Sequence, residues 1–124
     1  MLSAIELQPQ NPAIRLRLAK ILIARNALDD ALEQIDVALS VQPTSVEALL
    51  ARTEVLAKQG STVELEEALT RLEQVSPDTG FGPLGKGRLY RRQEKYPEAL
   101  AEFEKALELQ PDSVVALTEV VNTE

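Results

Sequence analysis

The sequence predicts an all-α chain built as a solenoid of stacked helix pairs. Prolines recur at one interval, because Pro9, Pro43, Pro77 and Pro111 stand 34 residues apart. Side chains keep the same step: Ala31, Leu32, Ala38 and Leu39 precede Pro43 as Ala99, Leu100, Ala106 and Leu107 precede Pro111. Of the 124 residues 44% are hydrophobic but only 3% aromatic, so the core must be Leu, Ile, Val and Ala, a helical composition. A period of about 20 to 50 residues marks stacked repeats rather than one closed globule. Helix pairs this short cannot bury their own apolar faces, so neighbours must stack.

Residues 2–9 read as the end of a helix begun upstream, since Ala4, Ile5 and Leu7 match Ala38, Leu39 and Val41 one period on. The chain therefore reads as a single domain cut from a longer solenoid. Full units span residues 12–43, 46–77 and 80–111, and residues 112–124 form a partial or capping helix. Asn11-Pro12 opens the first unit with an N-cap residue and a proline where a missing N–H costs nothing. A helix from about 12 to 25 is broken by Asn26, and Asp29 and Asp30 place negative charge at the start of its partner, which runs to about Val41.

In the second unit Thr44 and Glu47 have capping-box spacing, Gly60 ends the first helix, and Ser61 with Glu64 repeats the spacing for a helix over about 62–75. Leu69 falls in register with Ile35 and Phe103, and Leu56 with Leu22 and Tyr90. Leu65 and Leu72 replace the alanines of the other units, which predicts wider helix spacing in this pair. The third unit carries Gly80, Gly82, Gly85 and Gly87, four of the five glycines. Each costs about 1 kcal/mol inside a helix, and Pro83 suits a first helical position, so the helix is expected to start near 82 or 83. Its partner is bounded by Pro97 and runs to about Leu109. Val114, Val115, Leu117, Val120 and Val121 on the last helix are expected to cover the apolar end.

The absence of cysteine and histidine removes thiol chemistry, thiolate metal sites and the usual neutral-pH general base, and no catalytic constellation replaces them. A net charge of −7 repels phosphate backbones and disfavours nucleic acid as a partner. No apolar run approaches the roughly 20 residues a membrane span needs, and Met1-Leu2-Ser3-Ala4 lacks the regions of a signal peptide. Gly80-Phe81-Gly82-Pro83-Leu84-Gly85 matches the dinucleotide fingerprint in letters only. A helix and Ser76-Pro77-Asp78 precede it where the mechanism needs a strand, so no cofactor is expected. Adjacent acids such as Asp29-Asp30 and Glu66-Glu67 point about 100° apart on a helix and do not converge on a metal.

Gly87, Tyr90, Ala99, Phe103 and Pro111 make the third unit resemble the tetratricopeptide repeat family. Pro83 and Lys86 depart from the family pattern, standing where it has an aromatic residue and a leucine. The resemblance implies a right-handed superhelix acting as a non-enzymatic scaffold, whose first helices line a groove that holds a peptide or a helix. Carried onto this chain, the groove positions are an apolar row, Leu16, Leu50 and Leu84, and a polar row, Lys20, Glu54 and Arg88, with Phe81 and Arg91 beside them. Leucines beside charges suit an amphipathic partner. Against this, the alternating charges can pair with one another and the leucines can be buried by adjacent helices.

Lys86, Arg88, Arg91, Arg92 and Lys95 gather five of thirteen cations within ten residues. They can read a carboxylate, or pair internally with Glu54, Glu94 or Glu98. The two-Lys, two-Asn, one-Arg carboxylate clamp of some family members would fall on Leu16, Lys20, Ala51, Phe81 and Gly85, none of the required type. Gly82-Pro83-Leu84-Gly85 with Tyr96-Pro97-Glu98-Ala99 is similar to tetratricopeptide lipoproteins of PEP-CTERM sorting and exopolysaccharide export. That likeness implies an alternative, a structural spacer in a larger bacterial, periplasmic or envelope-associated protein. Cut solenoid ends expose apolar surface and would permit end-to-end homodimers.

Overall fold

Four oxygen-bearing or cap-forming positions one period apart, Asn11, Ser45, Thr79 and Ser113, start the chain's helix pairs. The computed structural model describes residues 11–124, and among these the chain forms seven helices and no strand. They are α1 (Pro12–Ala24), α2 (Leu28–Val41), α3 (Val46–Gln59), α4 (Thr62–Val75), α5 (Phe81–Arg92), α6 (Tyr96–Leu109) and α7 (Val114–Thr123). The helix end expected over residues 2–9 lies outside the described residues. Fold class is as the sequence predicts, an all-α helical repeat.

The caps explain where these helices begin. Asn11 Oδ1 accepts from the N–H groups of Ala13 and Ile14 at 2.9 and 3.3 Å. Ser45 Oγ accepts from Ala48 N–H at 3.2 Å and Ser113 Oγ from Ala116 N–H at 3.1 Å. Ser45, and not the expected Thr44, is therefore the N-cap of α3: it is the extended residue whose hydroxyl reaches the free amides. In the third unit the N-cap is Gly80, at φ 75° and without a side chain to accept from the free amides, and Phe81 N–H reaches Thr79 Oγ1 only at 3.4 Å. Helix α5 thus starts at Phe81, ahead of the 82 or 83 expected.

One turn geometry joins the helices of each pair. Asn26, Gly60 and Glu94, again one period apart, have φ of 61°, 75° and 62°. Their N–H groups donate to the carbonyls of Ile23, Ala57 and Arg91, and the next N–H groups, of Ala27, Ser61 and Lys95, donate to Leu22, Leu56 and Tyr90 at 2.8, 3.2 and 2.9 Å. Such paired bonds around a left-handed residue form the Schellman ending, which satisfies the last helical carbonyls.

Packing divides the chain into two compact units, residues 1–61 and 62–124. In the first, α1 and α3 both pack on α2 and also touch each other, around a core that includes Leu16, Ala19, Ala31, Ile35, Ala38, Ala48, Ala51 and Val55. In the second, α4 to α7 pack each on the next, and Ala99, Phe103 and Val120 form a buried cluster. Burial follows the repeat: Ile35, Leu69 and Phe103 are all buried, as are Ala38, Leu72 and Ala106.

Two expectations change here. The glycines of α5 are packing positions: a Cβ on Gly82 would lie 2.8 Å from Glu73 Cγ, one on Gly87 would lie 2.5 Å from the Phe103 ring, and one on Gly85 would meet Leu69 Cδ2. Their absence of side chains lets α5 approach α4 on one side and α6 on the other. Of the apolar residues of α7, Ala116 and Val120 are buried, whereas Val114, Val115, Leu117 and Val121 are exposed. Helical spacing gives the inward face to 116 and 120, four residues apart, and leaves the other four valine and leucine positions on the outer side.

Candidate functional site

Phe81, Leu84, Arg88 and Arg91 follow spacings of three, four and three residues, which puts all four on one side of α5. Phe81 is 38% exposed, and Leu84 is half-buried, leaning on the cluster of Ala99, Phe103 and Val120. Beyond them the two arginines converge on one acid. Arg91 Nη2 and Arg88 Nε lie 2.9 and 3.3 Å from the same oxygen, Glu119 Oε2 of α7. The Glu119 side chain is only 12% exposed, whereas that of Arg88 is 49% exposed. Arg91 also lies over the Phe103 ring, 5.4 Å from its centroid. A charge-assisted bond on one side and a cation–π contact on the other hold that guanidinium in place.

The remaining cations of α5 are engaged differently. Lys86 Nζ donates to Glu73 Oε2 at 2.7 Å, a pair whose side chains are 17% and 28% exposed. Burial lowers the Lys86 pKa, but the Glu73 hydrogen bond and charge, joined by the charge of Glu102, outweigh it and leave the group above the ordinary lysine value. Glu102 on α6 has one oxygen, Oε2, buried with no partner among the described residues. Lys95 Nζ lies over the Tyr90 ring at 5.9 Å. Lys86, Arg88 and Arg91 thus take Glu73 and Glu119 as partners, acids that the adjacent helices present to α5.

In the first unit Leu16 is 4% exposed and belongs to the core, while Leu50 is half-buried. Lys20 pairs with Glu47 at 2.6 Å, and both side chains are 61% exposed. Glu54 is exposed. Within their own units Lys20 takes Glu47 and Arg88 takes Glu119. An exposed pair like Lys20–Glu47 contributes about 0 to 1 kcal/mol.

Sequence reasoning missed Glu119. Its signal was present: it is the single charge in Ser113-Val114-Val115-Ala116-Leu117-Thr118-Glu119-Val120-Val121, an apolar stretch where a charge needs a partner. Among the described residues no group of three or more acidic, histidine or cysteine residues could hold a metal, and no helix is long and apolar enough to cross a membrane.

This geometry meets known proteins in one place. Residues 3–54 and 84–113 each match the sequence model of the tetratricopeptide repeat. The chain belongs to the tetratricopeptide repeat family. The human protein O-mannosyl-transferase TMTC1 is 32% identical over 97 residues, covering 77% of this chain and 11% of that protein. The chain therefore spans about a tenth of the curated relative's length. Among solved structures, MamA superposes with a TM-score of 0.82 at 18% identity, covering 98% of this chain and 71% of its own. The first tetratricopeptide domain of Spaghetti (RPAP3), bound to the HSP90 peptide SRMEEVD, gives 0.79 at 15% identity and covers 92% and 90%. YrrB, described as having an unusual peptide-binding site, gives 0.77 at 20% identity, covering 98% and 63%.

Proposed function

We propose that this chain is a non-enzymatic protein-interaction module whose first-of-pair helices hold a peptide or a helix of a partner protein. The observation that carries this reading is the side of α5 on which Phe81, partly exposed Leu84 and half-exposed Arg88 stand together in an otherwise acidic chain. In the first unit half-buried Leu50 and the exposed Lys20 and Glu54 are the corresponding candidate positions, while Leu16 is a core residue. Apolar contact supplies affinity and the charges set register. That two structurally similar proteins are described with bound or binding peptides supports the reading. Pull-down with the wild-type chain against a Leu50→Asp, Leu84→Asp double variant tests it. Loss of bound partners from the variant is expected, and equal recovery of every partner would favour a spacer solenoid in a larger envelope protein.

A further inference from the structure

Resting on that interaction reading, we infer that α5 reads a two-point motif in an extended partner segment: an apolar residue and an internal aspartate or glutamate three positions apart. Seven residues separate Phe81 from Arg88, a rise of about 10.5 Å along the helix. An extended chain advances about 3.3 Å per residue, so three steps span the same distance. The two ends of this span differ in chemistry. Beside Phe81 lies an open recess of about 450 Å³, lined also by Thr79, Gln110, Asp112 and Ser113. The exposed Phe81 ring offers an apolar side chain its contact, and Asp112 repels a carboxylate.

At the other end two guanidiniums share the single carboxylate of Glu119, which leaves one positive charge in excess. Arg88 meets Glu119 through Nε alone and keeps both Nη groups, with half of its side chain in solvent. Glu119 and the Phe103 ring fix Arg91, and Glu119 fixes the Nε edge of Arg88, so an incoming carboxylate finds donors already oriented. Apolar residue at Phe81 and acid at Arg88 is the only order of the two that avoids Asp112.

A displayed library of random twelve-residue peptides, selected on the full chain, tests this. Selected peptides are expected to be enriched in an apolar residue three positions from an Asp or Glu, in one consistent direction. For one such synthetic peptide, fluorescence anisotropy should show binding about tenfold weaker to Arg88→Ala, and about tenfold weaker when the peptide acid becomes its amide, as fits one charged hydrogen-bonded contact. Arg88→Lys, which keeps the charge and loses the guanidinium fork, should fall in between, and Phe81→Ala should weaken the same peptide. Circular dichroism melts of each variant separate lost contact from lost fold. Selected peptides that lack the acid, or that bind Arg88→Ala as tightly as wild type, overturn the inference. If such peptides still lose binding to Leu84→Asp, the interaction reading survives without it; if no peptide is selected at all, both fall.

Discussion

Gly87 shows how one residue sets helix spacing. Alanine is about 1 kcal/mol better than glycine inside a helix, yet here its methyl would press into the Phe103 ring, which has no exposed surface to move into. Overpacking of this kind costs about 1–3 kcal/mol and outweighs the helical gain. Gly87→Ala should therefore lower the unfolding free energy in urea by about 1–2 kcal/mol, and any increase would show that the ring can yield. Gly85→Ala should be milder, since the atom it meets is one terminal methyl of Leu69, which a rotation about a single bond can move, rather than a rigid ring. Lys86 makes a prediction about pH. Its folded-state pKa stands above the unfolded value, so the protonated form favours the folded chain; the contribution is complete below about pH 10.4 and fades as pH rises through the folded pKa. The difference in urea midpoint between wild type and Lys86→Met should stay constant from neutral pH to about 9.5 and shrink beyond about 10.5. A difference that is flat throughout refutes the assignment.

At the scale of the element, the turn between paired helices is one backbone shape made by three different residues. Glycine occupies it freely at Gly60, asparagine tolerates it at Asn26, and Glu94 adopts it at the cost of a Cβ in the left-handed region. Glu94→Gly should raise the melting free energy by about 1 kcal/mol, while Gly60→Ala should lower it by about as much, both read from thermal denaturation. Caps belong to this scale too: Ser45→Ala and Ser113→Ala each remove one acceptor and should cost about 1 kcal/mol. Helix ends were legible because proline, glycine and asparagine act on the backbone locally, so the period of Pro43, Pro77 and Pro111 carried over to structure almost unchanged. Thr44 misled because two hydroxyl residues stood side by side and the choice between them depends on which adopts the extended conformation. Gly82, Gly85 and Gly87 misled for another reason: their value lies in what the neighbouring helices bring against them, and that is tertiary. Half of the candidate site was legible too. The family resemblance pointed to Phe81, Leu84, Arg88 and Arg91, but it could not supply Glu119, 31 residues beyond Arg88 and on another helix.

Within each of the two units, contacts run between helices that are close in sequence, so the stability of each is a sum of local terms. Ile35 and Phe103 occupy equivalent places one period apart, each with no exposed surface, one in each compact unit. Truncating either removes a fully buried side chain: Ile35→Ala should cost about 2–5 kcal/mol and Phe103→Ala about 3–5 kcal/mol. In a chain of local terms the loss should be local. Native-state hydrogen exchange of Ile35→Ala is expected to lose protection first over α1 to α3, and that of Phe103→Ala over α5 to α7, where Phe103 forms one buried cluster with Ala99 and Val120 on which Leu84 and Leu100 pack. Equal loss of protection along the whole chain in both variants would mean that the chain unfolds as a single cooperative body. The Phe103 variant has a second consequence, because the same ring supports the Arg91 guanidinium. Arg91 would then keep Glu119 but lose the ring beneath it, so peptide binding at α5 should weaken even under conditions where the helix remains formed. Stability and recognition meet at that one side chain, whereas Ile35→Ala should leave a peptide bound at α5 untouched.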